Sequence, residues 1–422
     1  MDQRTSDRDT GLATEFERDV LTLLLEAMRA AARQEREDLG TESVLAALVS
    51  GDSAAGAAIA PGMRASGSLG GSIGARGTSV WVSDDAGDGA AEGPDDEREI
   101  DALWREARHE EAKRLRRANQ KKEKKERKRD GEEKGRAGER VPESIELPPM
   151  TGALRSCLRK ALEAAREEGA VSVQVRHVAR ALVELPETRA REAMVVEKVD
   201  VPAASAALDA LRGSDEVPEP SAVLILRKAG TFGKSGNPLT RKFTYWVFGG
   251  GAGFGSAVVG AVRTEASRVT VRRGDSQTRA VDTLLGILAL DRSLSVAERA
   301  LPEKLQGANR GAELLRRHGA RQDTLARVLL PTTGVEQGEP AEVPSSADFE
   351  RRLLHVTQFT ASHHGSPTVG TTHLLAALLD KTGTDAESAA EIERVLTESG
   401  VDVDGLRAEP DLQVPGGAAA SH

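Results

Sequence analysis

Thr41-Glu42-Ser43-Val44-Leu45-Ala46-Ala47-Leu48 is a short segment that returns three more times along the chain. It reappears as Val175-Arg176-His177-Val178-Ala179-Arg180-Ala181-Leu182, then as Val281-Asp282-Thr283-Leu284-Leu285-Gly286-Ile287-Leu288. The last copy is Thr371-Thr372-His373-Leu374-Leu375-Ala376-Ala377-Leu378. Each copy opens a short apolar helix, and each follows an amphipathic stretch that starts roughly twenty residues upstream. A helical unit that recurs without a recurring catalytic group points to a binding scaffold.

The upstream stretches share a pattern. Val20, Leu24, Ala27 and Ala31 fall on one helical face before Leu39-Gly40-Thr41, where Thr41 is the expected N-cap. Leu154, Leu158, Ala161 and Ala165 repeat that spacing before Val175. Val258, Val262 and Val269 precede Val281, and Phe349, Leu353, Val356 and Thr360 precede Thr371. Further helices are expected over 190–196, 202–211, 311–315 and 323–330, and through Ile392, Leu396 and Val401 to Arg407.

Unlike segments separate these units. Residues 64–96 are mostly Gly, Ser, Ala and Asp, a composition expected to stay disordered because it buries little apolar area. Residues 95–140 are almost wholly Glu, Lys, Arg, Asp and Ala, with Ile100, Leu103, Trp104 and Leu115 as rare apolar members. That reads as a solvated helix held by ion pairs at three- and four-residue spacing. Its basic run 113–129 is also the natural nucleic-acid arm, although aromatics are absent there and Glu123 and Glu126 dilute the charge. The runs 222–226 and 243–248 are rich in branched and aromatic residues and read as a β-hairpin.

Composition bounds the rest. A chain of 422 residues accommodates two or three domains, and aromatics at 3% favour small-residue helical packing. The lone Cys157 excludes an internal disulfide and suits a reducing cytoplasm; it lies on an apolar helix face as a small hydrophobe. The charged stretch 1–10 is no secretory signal. Residues 245–262 carry no charge, yet their six glycines argue against a membrane span. A net charge of −9 argues against a polyanion binder overall.

Taken together, these units resemble the Clp N-terminal repeat domain, the substrate- and adaptor-receiving head of Clp-type AAA+ unfoldases. Gly40-Thr41-Glu42-Ser43 and Gly370-Thr371-Thr372-His373 are the closest matches to that family's Gly-Thr-Glu-His helix start. Gln174-Val175-Arg176-His177 and Ala280-Val281-Asp282-Thr283 are degenerate ones. The resemblance covers roughly 230 residues and rests on the repeated spacing. It implies a mainly α fold of two double-repeat domains without the AAA+ motor. The expected units are repeat 1 at 13–63, a disordered and charged-helix linker at 64–147, and repeat 2 at 148–213 pairing with repeat 1. A hairpin and Gly-rich insertion at 214–254 comes next. Repeat 3 at 255–332, a linker at 333–346, repeat 4 at 347–408 pairing with repeat 3, and a disordered tail at 409–422 complete the chain.

In the relatives that recognise phosphoarginine, the Glu of each helix start faces the guanidinium-phosphate group. Carried over by position, that place is held by Glu42, Arg176, Asp282 and Thr372, so the resemblance leaves that paired site half present. Read without the resemblance, Glu42 and Asp282 sit in a helix's first turn, where a carboxylate complements the macrodipole.

Other motifs are weaker. Lys228-Ala229-Gly230-Thr231-Phe232-Gly233-Lys234-Ser235 lacks the first glycine of a P-loop, and Asn237-Pro238 interrupts the helix that should follow. The glycine run 249–255 reads as a hinge. Gly70-Gly71-Ser72-Ile73-Gly74 has the letters of a hydrolase elbow without a strand feeding it. His355, His363, His364 and His373 lack metal-pair spacing. The expectation is therefore a cytoplasmic, non-enzymatic protein with no cofactor and no membrane span. Its expected partners are Clp unfoldase or protease components, their adaptors or substrates. A nucleic-acid-associated regulator using 113–129 is the alternative, and a divergent P-loop nucleotide binder the second.

Overall fold

The computed structural model describes residues 12–76, 80–83, 85, 94–129, 147–213, 219–233, 256–330, 347–380 and 384–413, with side chains to Lys121 in the long charged helix and from Phe349 in the helix that starts at 347. Among them are nineteen helices and two short strands, so the chain is mainly helical.

Strand β1 (Glu15–Phe16) leads into α1 (Arg18–Arg33), α2 (Thr41–Ser50), α3 (Ala54–Ile59), α4 (Gly62–Ala75) and α5 (Pro94–Arg129). Then come α6 (Gly152–Glu167), β2 (Ser172–Val173), α7 (Val175–Glu184), α8 (Arg189–Val196) and α9 (Val201–Asp209). The backbone pairing between these two stretches is reciprocal. β1, before α1, pairs in parallel with β2, before α7, as Glu15↔Ser172 and Phe16↔Val173. Leu39, before α2, bridges in parallel to Met150, before α6. The predicted faces of α1 and α6 meet in one core with Val44, Leu45, Leu48, Val178 and Leu182. Cys157 is fully buried there, and burial pushes its thiol well above the usual range.

The second half comprises α10 (Ser221–Lys228), α11 (Ala257–Arg273), α12 (Ala280–Val296), α13 (Glu303–Gln306), α14 (Gly311–Arg317) and α15 (Gln322–Leu329). It ends with α16 (Ala347–His363), α17 (Thr371–Leu379), α18 (Ala386–Glu398) and α19 (Val403–Arg407). Its buried apolar residues, from Ala222 to Leu412, form a separate cluster. Helices α11 and α12 cross closely at Gly286, where a Cβ would stand 2.8 Å from the Val262 carbonyl oxygen.

Four expectations are corrected. Residues 64–75, expected to be disordered, form most of α4: Leu69 and Ile73 add to an existing core, so the segment needs none of its own. Arg36 reaches the end of that helix and donates to the carbonyls of Ile73 at 2.8 Å and Arg76 at 3.2 Å. The run 222–226, read as half of a hairpin, is helix α10, with Ala222 and Leu226 on the buried side. Short apolar runs do not separate strand from helix by periodicity. The other run, 243–248, lies outside the described residues, as does the linker 333–346. The tail does not begin at 409, because Leu412 is buried in a final 3-10 turn.

The fourth correction concerns α5, which is no solvated linker. Ile100, Leu103 and Ala107 belong to the first core. Glu97 takes Arg155 at 2.6 Å and pairs with Arg159 of α6. On another side Glu106 accepts from Arg268 of α11 at 3.0 Å, and Glu99 pairs with Arg272. A buried ionic layer thus joins the two halves. Glu15 accepts from Arg268 at 2.7 Å and Gln322 at 2.9 Å, and Glu17 from Arg292 at 2.6 Å. Arg292 also donates to the carbonyls of Ala13 at 2.8 Å and Val171 at 2.7 Å. These arginines hold the Glu15 carboxyl far below the carboxylate range against the pull of burial. Among the described residues Glu265 faces Arg268 at 3.8 Å and accepts a long bond from Ser293 Oγ; burial pushes it up to about 7.

Candidate functional site

The polar heads of the four quoted segments are tied into the fold. Thr41, Val175 and Thr371 are the first residues of α2, α7 and α17, whereas α12 starts one residue before Val281. That one-residue offset changes the role of Asp282. It occupies the third helical position, equivalent to His177 and His373, and so does not correspond to Glu42. Asp282 accepts from the Arg279 amide at 2.8 Å, His177 Nδ1 from the Gln174 amide at 2.9 Å, and His373 Nδ1 from the Gly370 amide at 3.2 Å. All three bond back to an N-cap amide. Asp282 is fully buried and also accepts from Arg273 at 2.8 Å and Thr270 Oγ1 at 3.0 Å.

Glu42 is likewise fully buried, with Oε1 taking Arg36 at 2.6 Å. Burial, then the neighbouring Asp85 charge, raises its pKa. Thr372 Oγ1 accepts from the Arg310 amide at 2.9 Å. Arg176 donates to Glu168 at 3.0 Å, half-buried in a charged pocket of about 230 Å³ that includes Lys160, Arg180 and Glu184. No hydrogen bond or ion pair joins any two of Glu42, Arg176, Asp282 and Thr372 among the described residues. The sequence-predicted set is therefore four helix starts rather than one site.

An open groove of about 540 Å³ with a largely apolar lining lies between α1, the end of α2, the start of α7 and α10. Leu23, Ala47, Leu48 and Leu224 supply its apolar lining; Asp19, Glu26 and Glu219 outnumber Arg18 along it. Asp19 serves both helices it touches, accepting from the Val20 amide at 2.8 Å and the Val175 amide at 2.9 Å. Burial pushes its carboxyl up to about 6, against the pull of those two bonds. Sequence reasoning missed Asp19 in this role, and its place in the first turn of α1 was the one available signal. It also missed Leu224, which was assigned to a strand.

The weaker motifs find little support. The strand that a P-loop at 228–235 would need is helix α10, while Lys234 and Ser235 lie outside the described residues. The His363 and His364 rings are 6.0 Å apart and those of His364 and His373 5.8 Å, and no cluster able to hold a metal ion occurs among the described residues. No helix among them is long and apolar enough to cross a membrane. No family model, no curated protein and no solved structure matches the chain.

Proposed function

We propose that the chain is a non-catalytic, protein-binding scaffold of the Clp N-terminal kind, acting in the cytoplasm as an adaptor, decoy or regulator around a Clp unfoldase–protease. The observation that carries this reading is the reciprocal pairing of β1 with β2 and of Leu39 with Met150. It sets the stretch of α1 and α2 against the stretch of α6 and α7 and leaves the groove open beside them. The groove's apolar lining and acidic excess favour a peptide with apolar residues flanked by Lys or Arg. Such a module delivers or withholds substrates without chemistry of its own.

The test is co-purification of the tagged full chain from cells that contain a Clp system. Enrichment of an unfoldase, an adaptor or their substrates supports the reading, and recovery of none of them counts against it. A nucleic-acid-associated role keeps one specific observation in its favour: Lys113, Arg117 and Lys121 are exposed on α5 beyond its buried portion. Gel shifts across a salt series separate the two, since a phosphate-binding arm loses affinity steeply with salt.

A further inference from the structure

The acids along the groove of α1, α2, α7 and α10 are not equivalent. Glu26 and Asp52 are exposed at its rim, and Glu219 is held by Arg227 at 2.6 Å. Asp19 is half-buried in the first turn of α1, one turn before the apolar lining residue Leu23.

Both oxygens of that carboxylate are fixed. Oδ1 accepts from the Val20 amide at 2.8 Å and Oδ2 from the Val175 amide at 2.9 Å. The second bond extends the short parallel ladder in which the Glu15 amide donates to the Val171 carbonyl at 3.2 Å and the Glu17 amide to the Val173 carbonyl at 3.0 Å. Asp19 is thus held in place by the same pairing that sets α1 beside α7. A carboxylate offers about four lone-pair sites, and the two amides use two of them. The rest remain for a donor that enters the groove.

The surrounding charges leave that capacity open. Around Asp19 stand Glu17, Arg18 and Glu26 from α1 and its N-cap, Asp52 from the end of α2, and Glu219 from the turn before α10. Helix α7 contributes only Val175 to the lining. Glu17 is matched by Arg292 at 2.6 Å, Glu219 by Arg227, and Arg18 is exposed. Among the described residues none of these forms an ion pair with Asp19. A fixed carboxylate beside apolar surface suits a long cationic side chain, whose methylenes cover Leu23 and Leu224 while its head group donates to the oxygens.

We propose that Asp19 is the specificity-determining residue of the groove and takes the Lys or Arg side chain of a bound peptide. The assignment rests on the peptide-binding reading of that groove. Burial raises the free carboxyl to about 6, so it is chiefly protonated at pH 5 and ionised at pH 7.5. Only the ionised form pairs with the cation, and the displaced proton goes to solvent.

The probe is a labelled apolar peptide carrying one Lys, titrated against the full chain by fluorescence anisotropy. Wild type should bind it about tenfold more weakly at pH 5 than at pH 7.5, because about a tenth of Asp19 is ionised at the lower pH. The same peptide with Gln for Lys should bind more weakly at pH 7.5 and lose the pH dependence. Asp19→Asn keeps one oxygen for the capping amides and should bind both peptides alike at both pH values. Saturable binding of the Lys peptide with one affinity at both pH values, or a pH dependence that survives Asp19→Asn, overturns the assignment and leaves the groove reading standing. Failure of wild type to bind either peptide overturns both. If Asp19→Asn does not fold, the two peptides on wild type decide, and equal affinities at pH 7.5 overturn the assignment.

Discussion

Replacing Glu265 by Gln should stabilise the chain, and the gain should grow with pH. Glu265, on α11, is buried beside the ionic layer, within the field of Arg268 and Arg292 and of the like charges of Glu15 and Glu106. Its carboxyl is raised from 4.5 to about 7, so the folded state holds its proton more tightly than the unfolded chain does. The stability associated with that proton is complete below pH 4.5 and is lost as pH rises through 7. At about 1.4 kcal/mol per unit, a shift of this size corresponds to about 3 kcal/mol. Gln keeps the shape and cannot ionise. The variant should therefore exceed wild type by about 1 kcal/mol at pH 5 and about 3 kcal/mol at pH 8. Asp19, raised to about 6, titrates in both proteins and cancels in the difference. Denaturant unfolding of the pair at pH 5, 6.5 and 8 provides the measurement. A gain independent of pH, or a loss that grows with pH, would show that the folded chain does not raise the Glu265 pKa.

Three further outcomes follow from named contacts. Gly286→Val forces α11 and α12 apart at a backbone approach of 2.8 Å and should cost about 2–3 kcal/mol in thermal unfolding. Arg292→Ala leaves Glu17 buried without its cation and should cost about 3–5 kcal/mol, whereas Arg292→Lys should recover part of that loss. His373, lowered to about 4 by burial and then by His364, favours its neutral form, so its own contribution to folding stability falls as pH drops from 6.5 toward 4, opposite in sign to that of Glu265. His373→Asn retains an acceptor for the Gly370 amide, and its unfolding midpoint should gain on that of wild type as pH drops over that range.

The helical units were legible because burial demands a repeating pattern. Val20, Leu24, Ala27 and Ala31 are all buried, as are Leu154, Leu158, Ala161 and Ala165. In α16 Phe349, Leu353 and Thr360 are buried, with Val356 packed at the margin. What escaped was whatever depends on a neighbour. Helix α4 has a composition that cannot support a core alone, and only docking of Leu69 and Ile73 on α2 and its surroundings makes it helical. Helix α5 has few apolar residues, but Ile100, Leu103 and Ala107 share one face, and its charges meet arginines more than fifty residues away. The Asp282 role turned on a one-residue shift in helix start, a distinction that periodicity does not resolve. Asp85 stands in a Gly- and Asp-rich run, where nothing in the sequence sets it apart from its neighbours.

Peptide capture in the groove of α1, α2, α7 and α10 is the step on which the proposed function rests. Its most direct test is fluorescence anisotropy of labelled peptides, apolar with flanking Lys or Arg, against wild type and Leu224→Arg. Leu224 is half-buried and lines the groove, so the variant should fold while an added bulky cation blocks and repels the peptide. The account predicts saturable binding to wild type and at least tenfold weaker binding to folded Leu224→Arg, a loss of about 1.4 kcal/mol. Equal binding to both proteins, or no binding to wild type by any such peptide, would contradict it.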